Sequence, residues 1–187
     1  MSTLRRVETR LDGLVLLEPT VHGDARGFFV ETYSRAIYRD AGVAAEFVQD
    51  NQSRSLRGAL RGLHYQRRPG QAKLLRVARG AIWDVAVDIR PDSPTFGQFE
   101  AFELDDVNHR QLFVPIGFAH GFCVTSDLAD VAYKVSSPYD GQEERGIAWD
   151  DSALGIQWPV DDPILSDRDR QNPTLADAAA NRELAQP

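Results

Sequence analysis

The stretch LRGLHYQ (residues 60–66) sets one histidine, His64, in a run of strand character, with Arg57 and Arg61 before it and Lys73 shortly after. A histidine so placed has four possible roles: metal ligand, partner of a nucleophile, general base, or a hydrogen-bonded core residue with no chemistry. Period two along the run puts Gly62, His64 and Gln66 on one face and Arg61, Leu63 and Tyr65 on the other. In AKLLRVAR (72–79) the same rule groups Lys73, Leu75 and Val77. The RRPGQ turn between the runs predicts a hairpin that brings His64 and Lys73 together. An interior lysine is costly without a partner. His64, Lys73, the nearby Arg61 and the tyrosine of VAYKVS (131–136) therefore read as a site rather than a core.

General acid–base chemistry suits this set. Imidazole titrates near pH 6.5, roughly, when unperturbed. A carboxylate partner would fix its tautomer and raise its basicity. A lysine can hold an enolate oxygen, and a tyrosine across the pocket can return a proton to the opposite face. Together these are the needs of an epimerase acting beside a ketone. A metal centre asks for more: commonly three or more His, Cys, Asp or Glu ligands. Metal-binding cupins, a jelly-roll family, place two of them as His-x-His on one strand and a third on a later strand. Here the first element reads His64-Tyr65-Gln66, one ligand short, while Pro115-x-Gly117-x-x-His120 is similar to the second. No bound metal is expected. Cys123, three residues after His120, reads as a small buried apolar residue rather than a nucleophile. His22 and His109 are assigned to the surface, and Trp83, Trp149 and Trp158 to core or interface.

The elements that must position these residues are short. FVQDNQS (47–53), LRGLHYQ, AKLLRVAR, AIWDVAVDI (81–89), QFEAFEL (98–104), RQLFVP (110–115), HGFCVTS (120–126) and VAYKVS are alternating or β-branched runs. Gly58, Pro69-Gly70, Gly80, Pro91, Pro94, Gly97 and Pro138 separate them. This spacing predicts an all-β sandwich or barrel. Helical character is confined to SRAIYRDAG (34–42), with Ser34 as N-cap and Gly42 as C-cap, and to TLADAAANREL near the end. No repeat or linker divides the chain, so its 187 residues are expected to form one domain. The net charge of −7 argues against nucleic acid as a partner. No run reaches the roughly 18 apolar residues that span a membrane, and the N-terminus has no apolar signal segment. One cysteine allows no internal disulfide, which points to a reducing cytoplasm.

Nine segments in order carry a further resemblance: DARGFFVETY (24–33), FVQDNQS, LRGLHYQ, QAKLLRV (71–77), DVAVDIRPDSPTFG (84–97), RQLFVPIGFAHGF (110–122), YK (133–134), E-R-x-I-x-W (144–149) and LSDRD (165–169). From about Gly13 to Leu175 the chain resembles the dTDP-4-dehydrorhamnose 3,5-epimerases. The resemblance implies a cupin-type double-stranded β-helix, or jelly roll, with a few short peripheral helices. It implies His64 as catalytic base, Asp169 as its acidic partner, Lys73 facing the C4 oxygen and Tyr133 as proton donor. Contacts to the dTDP-sugar substrate fall on Arg26, Glu31, Gln49, Asp50, Asn51, Arg61, Lys73, His120, Glu144 and Arg168. No redox or metal cofactor is implied. A homodimer is, in which the GFFVETY segment pairs with the neighbouring subunit and carries Arg26 and Glu31 into its pocket. The chain departs from its relatives in having Arg168 for a lysine and Pro138 for the first of two tyrosines, leaving Tyr139. Three rivals stand beside this reading: a 3- or 5-monoepimerase of another deoxysugar pathway, a non-catalytic sugar-nucleotide-binding cupin, and a metal-dependent cupin.

Overall fold

The computed structural model describes residues 4–185. Along them run β1 (Leu4–Val7), β2 (Val15–Pro19), β3 (Val21–Asp24), β4 (Gly27–Val30), α1 (Arg35–Asp40), β5 (Gln49–Leu56), β6 (Leu60–Gln66), β7 (Lys73–Arg79), β8 (Ala81–Asp88), β9 (Phe99–Asp105), β10 (Gln111–Val114), β11 (Phe118–Val124), β12 (Leu128–Val135), β13 (Glu144–Gly146) and α2 (Leu175–Ala180). The strands form a six-stranded sheet in the order β1-β2-β10-β7-β12-β5, a five-stranded sheet β13-β6-β11-β8-β9, and a separate β3-β4 hairpin. The β class and both short helices are as the sequence predicts. α1 follows Ser34, which makes no side-chain cap, while α2 is capped by Thr174 accepting from the Asp177 amide.

Leu75, Val77, Ile82, Ala86, Leu104, Leu112, Phe122 and Val131 fill the space between the two large sheets. Each large apolar side chain so buried contributes about 1.5–3 kcal/mol. The outer face of the five-stranded sheet (Leu63, Tyr65, Val85, Val87) is covered by the C-terminal third through Ile147, Leu154, Leu175 and Ala178. Tyr38 and Val43 cover the outer face of the other sheet over Leu17, Leu74 and Phe113. Covering both outer faces frees the interior at one end for polar residues. There the inward residues of β5 alternate as Gln49, Asn51, Ser53 and Ser55, with Asp50, Gln52, Arg54 and Leu56 exposed.

Two expectations are corrected. β6 and β7 are not a hairpin: β6 pairs with β11 and β13, whereas β7 pairs with β10 and β12. The segment between them crosses from one sheet to the other. His64 and Lys73 still meet, because both face the interior, and Lys73 Nζ lies 3.4 Å from the His64 carbonyl oxygen. Nor does Arg61 oppose His64. His120 stands opposite His64 and Phe122 opposite Arg61, so β6 carries one extra residue in between. A bulge of this kind resets the alternation, and both side chains turn to the same side.

The bulge depends on a close approach of two glycines. A Cβ on Gly62, whose φ is +150°, would lie 2.6 Å from the Gly121 Cα, and one on Gly121 would lie 2.8 Å from the Arg61 carbonyl. We predict that Gly121→Ala forces β6 and β11 apart and costs about 1–3 kcal/mol, the usual range for overpacking. Urea unfolding measures the loss, and wild-type stability in the variant would show that the strands have room to spare.

Candidate active site

The polar end of the barrel encloses a cavity of about 240 Å³, lined by Asn51, Arg61, His64, Lys73, His120, Tyr133 and Glu144 among others. A second cleft of about 400 Å³ reaches Arg61 and His64 from the other side, between β6 and a segment holding Ser166, Arg168 and Asp169. Every residue that the sequence proposes for the chemistry therefore borders one connected region. It is assembled from both sheets, with His64 on the five-stranded sheet and Lys73 and Tyr133 on the six-stranded one.

His64 Nε2 is 2.5 Å from Asp169 Oδ1, and Asp169 is buried at the head of a 3-10 turn, its amide donating to Ser166 Oγ at 3.1 Å. Burial alone would raise the Asp169 carboxyl, but the hydrogen bond and charge of His64, with Ser166 and Arg168, outweigh it and hold the group below the usual carboxylate range. A carboxylate on Nε2 keeps the neutral ring protonated there and leaves Nδ1 as the basic nitrogen.

Desolvation pushes the Lys73 ammonium down to about 8, against the opposing pull of Glu144 and Asp84. Burial raises the Tyr133 phenol, which Arg61 counters and Glu144 reinforces, so it stays protonated through neutral pH. The Glu144 carboxyl is raised by burial but lowered overall by Arg168 and Tyr139. Arg168 forms an ion pair with Glu144 across the mouth, the lysine-to-arginine departure thus keeping a cation in contact. Arg61 is held by Ser55, whose Oγ accepts from Nε at 2.9 Å.

Asp84 was not foreseen. Fully buried, it accepts from His120 Nε2 with its two oxygens at 2.9 and 3.1 Å. The signal was present as two acids, Asp84 and Asp88, within the apolar run AIWDVAVDI, since such acids are almost never buried unpaired; Asp88 is paired with Arg90. The two histidines that the cupin pattern would offer a metal thus have Nε2 engaged by carboxylates. Among the described residues no group of three His, Cys, Asp or Glu side chains gathers as ligands.

Three proposed contacts lie apart. Asp50 points out of the barrel and pairs with Lys134 at 2.8 Å. Arg26, with its side chain 88% exposed, pairs with Asp24 on the β3-β4 hairpin, and Glu31 follows that hairpin. Gln49 borders the site indirectly, through a 2.9 Å hydrogen bond to Asn51 Oδ1.

A jelly roll whose polar end pairs a histidine–carboxylate dyad with a half-buried lysine and a protonated tyrosine has the form of a cupin-type acid–base site. The family model described as dTDP-4-dehydrorhamnose 3,5-epimerase matches residues 8–177. The chain belongs to that family. The dTDP-4-dehydrorhamnose 3,5-epimerase of Methanothermobacter thermautotrophicus is 49% identical over 173 residues, 91% of this chain and 94% of that one. The crystal structure of the Legionella pneumophila dTDP-6-deoxy-D-glucose-3,5-epimerase, in complex with dTDP-4-keto-L-rhamnose, superposes with a TM-score of 0.94 at 42% identity, covering 99% of both chains. A 3'-monoepimerase from Streptomyces bikiniensis, in complex with dTDP-quinovose, superposes with a TM-score of 0.90 at 38% identity over 95% of this chain and 91% of that one.

The lowered lysine gives a pH prediction. If the charged form is the active one, kcat/KM falls as pH rises through about 8. Lys73→Arg, which stays charged, should lower the rate but move that alkaline limb upward. An unmoved limb in the pH–rate profile of the variant would assign it to another group.

Proposed function

We propose that the chain is a dTDP-4-dehydrorhamnose 3,5-epimerase, converting dTDP-4-dehydro-6-deoxy-D-glucose to dTDP-4-dehydro-L-rhamnose. What supports this is that His64 and Tyr133 stand on facing sheets and line one cavity, with Lys73 on the same sheet as Tyr133 and lining it too. The C4 ketone acidifies the protons on C3 and C5. His64 Nδ1 takes one of them, and Asp169 stabilises the imidazolium that forms. The Lys73 ammonium meets the charge developing on the C4 oxygen, a preorganised interaction that usually supplies the largest share of such catalysis. Tyr133 gives its phenolic proton to the opposite face of the carbon. The resulting imidazolium and phenolate are reset by proton exchange with solvent before the second centre reacts. Arg61, His120, Glu144 and Arg168 hold the substrate away from the reacting carbons, where binding energy orients the sugar. The chemistry calls for no metal or redox cofactor, and the single cysteine suits a cytoplasmic enzyme.

The same reading makes the protein a homodimer. In one chain Arg26 and Glu31 do not reach the cavity, and the hairpin that leads to them presents Phe28 and Phe29 at 60% and 69% exposure. A second copy would cover this face and receive Arg26 and Glu31 in its own site.

The Streptomyces bikiniensis neighbour shows that one-centre chemistry occurs on the same fold, so the number of centres must be measured. In deuterated water, NMR of the product should show deuterium at both C3 and C5. Deuterium at only one would make the protein a monoepimerase. His64→Asn should lower kcat by about 10²–10⁴, the range for losing a general base, and wild-type C–H exchange in that variant would remove His64 from the role. Mixing inactive Arg26→Ala with inactive His64→Ala should restore part of the activity through heterodimers. No recovery after proven subunit exchange would mean that each site is built from one chain.

A further inference from the structure

Gln66 stands two residues after His64 on the same face of β6, where the metal-binding pattern has its second histidine, and the proton chemistry has no use for it. It is 3% exposed. Its side-chain amide is spent on one loop: Nε2 donates to the Pro138 carbonyl at 3.1 Å and lies 3.4 Å from Ser137 Oγ, while Oε1 accepts from the Asp140 amide at 2.9 Å. These partners flank Tyr139 on either side. A primary amide carries donor and acceptor on one planar group, so it can grip a carbonyl and an N–H two residues apart. A carboxylate offers no donor and a thioether almost nothing.

Tyr139 lines the same cavity as His64, Lys73 and Tyr133, yet is 60% exposed. Its backbone amide faces Gln49 Oε1 at 3.3 Å, and Glu144, which raises its phenol, is the cross-strand partner of Gln66. The loop around it is otherwise open to solvent from Pro138 to Gln142. An exposed aromatic on such a loop would sample many positions unless a buried anchor held it.

We infer that Gln66 is a positioning residue that fixes Tyr139 as a wall of the substrate site, so that one strand sets both the base and the substrate-contacting ring. The inference rests on the epimerase reading above, because Tyr139 matters only if substrate lies against it. Gln66 acts on binding and leaves the proton-transfer groups untouched.

A double-mutant cycle tests this with dTDP-4-dehydro-6-deoxy-D-glucose as substrate. Gln66→Met should raise KM about tenfold, equivalent to about 1.4 kcal/mol, with kcat little changed. In a Tyr139→Ala background the same substitution should add almost nothing, since residues acting as one unit are not additive. An equal rise in KM in both backgrounds would show that Gln66 acts elsewhere, as would a fall in kcat at unchanged KM. Gln66→Glu, which keeps the acceptor for Asp140 and loses the donor to Pro138, runs the same cycle and decides the matter if thermal unfolding shows Gln66→Met to be misfolded. Failure of the wild-type protein to turn over this substrate would count against the proposed function, and the cycle would then be read from dTDP affinity by calorimetry, with the same two outcomes.

Discussion

The hydrogen bond between His64 and Asp169 joins residues 105 positions apart, and much of the chain's course serves to make it. The segment carrying Asp169 lies back on β6: Ile164 bridges to Ala59, accepts from the Leu60 amide at 3.0 Å and donates to the Gly58 carbonyl at 2.9 Å. The chain on either side of that segment seals the outer face of the five-stranded sheet, with Ile147 and Leu154 before it and Leu175 and Ala178 after it. The same packing that buries Leu63 and Tyr65 thus turns His64 inward and brings a carboxylate against it. Asp169 is buried, so separating the pair would leave its charge in a dry place.

Charge compensation organises the rest of the site. A protein of net charge −7 concentrates Arg61, Lys73 and Arg168 around one cavity. Glu144 pairs with Arg168, Asp84 and Glu144 oppose the desolvation of Lys73, and Arg61 donates to the neutral hydroxyl of Ser55. Buried charges persist only with such partners. The outcome is a pocket in which Arg61, Lys73 and Arg168 stand against Glu144, Asp84 and Asp169.

The bulge at Gly62 shows how backbone detail governs side-chain chemistry. Without the extra residue, Arg61 would face the covered outer side of the sheet and the pocket would lose a cation. Two glycines that leave no room for a Cβ make the bulge possible. Conformational freedom at one position thereby decides which charges the cavity contains.

That His64 and Lys73 meet was expected from a hairpin that does not form, and holds because both face the interior; from the sequence alone came the β class, the two short helices and the inward set of Lys73, Leu75 and Val77. These are local matters of period and turn chemistry, which neighbouring residues express directly. Asp169 was named only through resemblance, since nothing in LSDRD announces a partner so far away in the chain. Tertiary structure alone decided that β6 and β7 belong to different sheets, that Arg61 shares a side with His64, that Asp84 lies under His120, and that Gln66 grips the Tyr139 loop. Each of these depends on which strands pair and in what register. Pairing is settled by the burial of whole faces rather than by any one stretch of residues, and so it is not written in the period of a single strand.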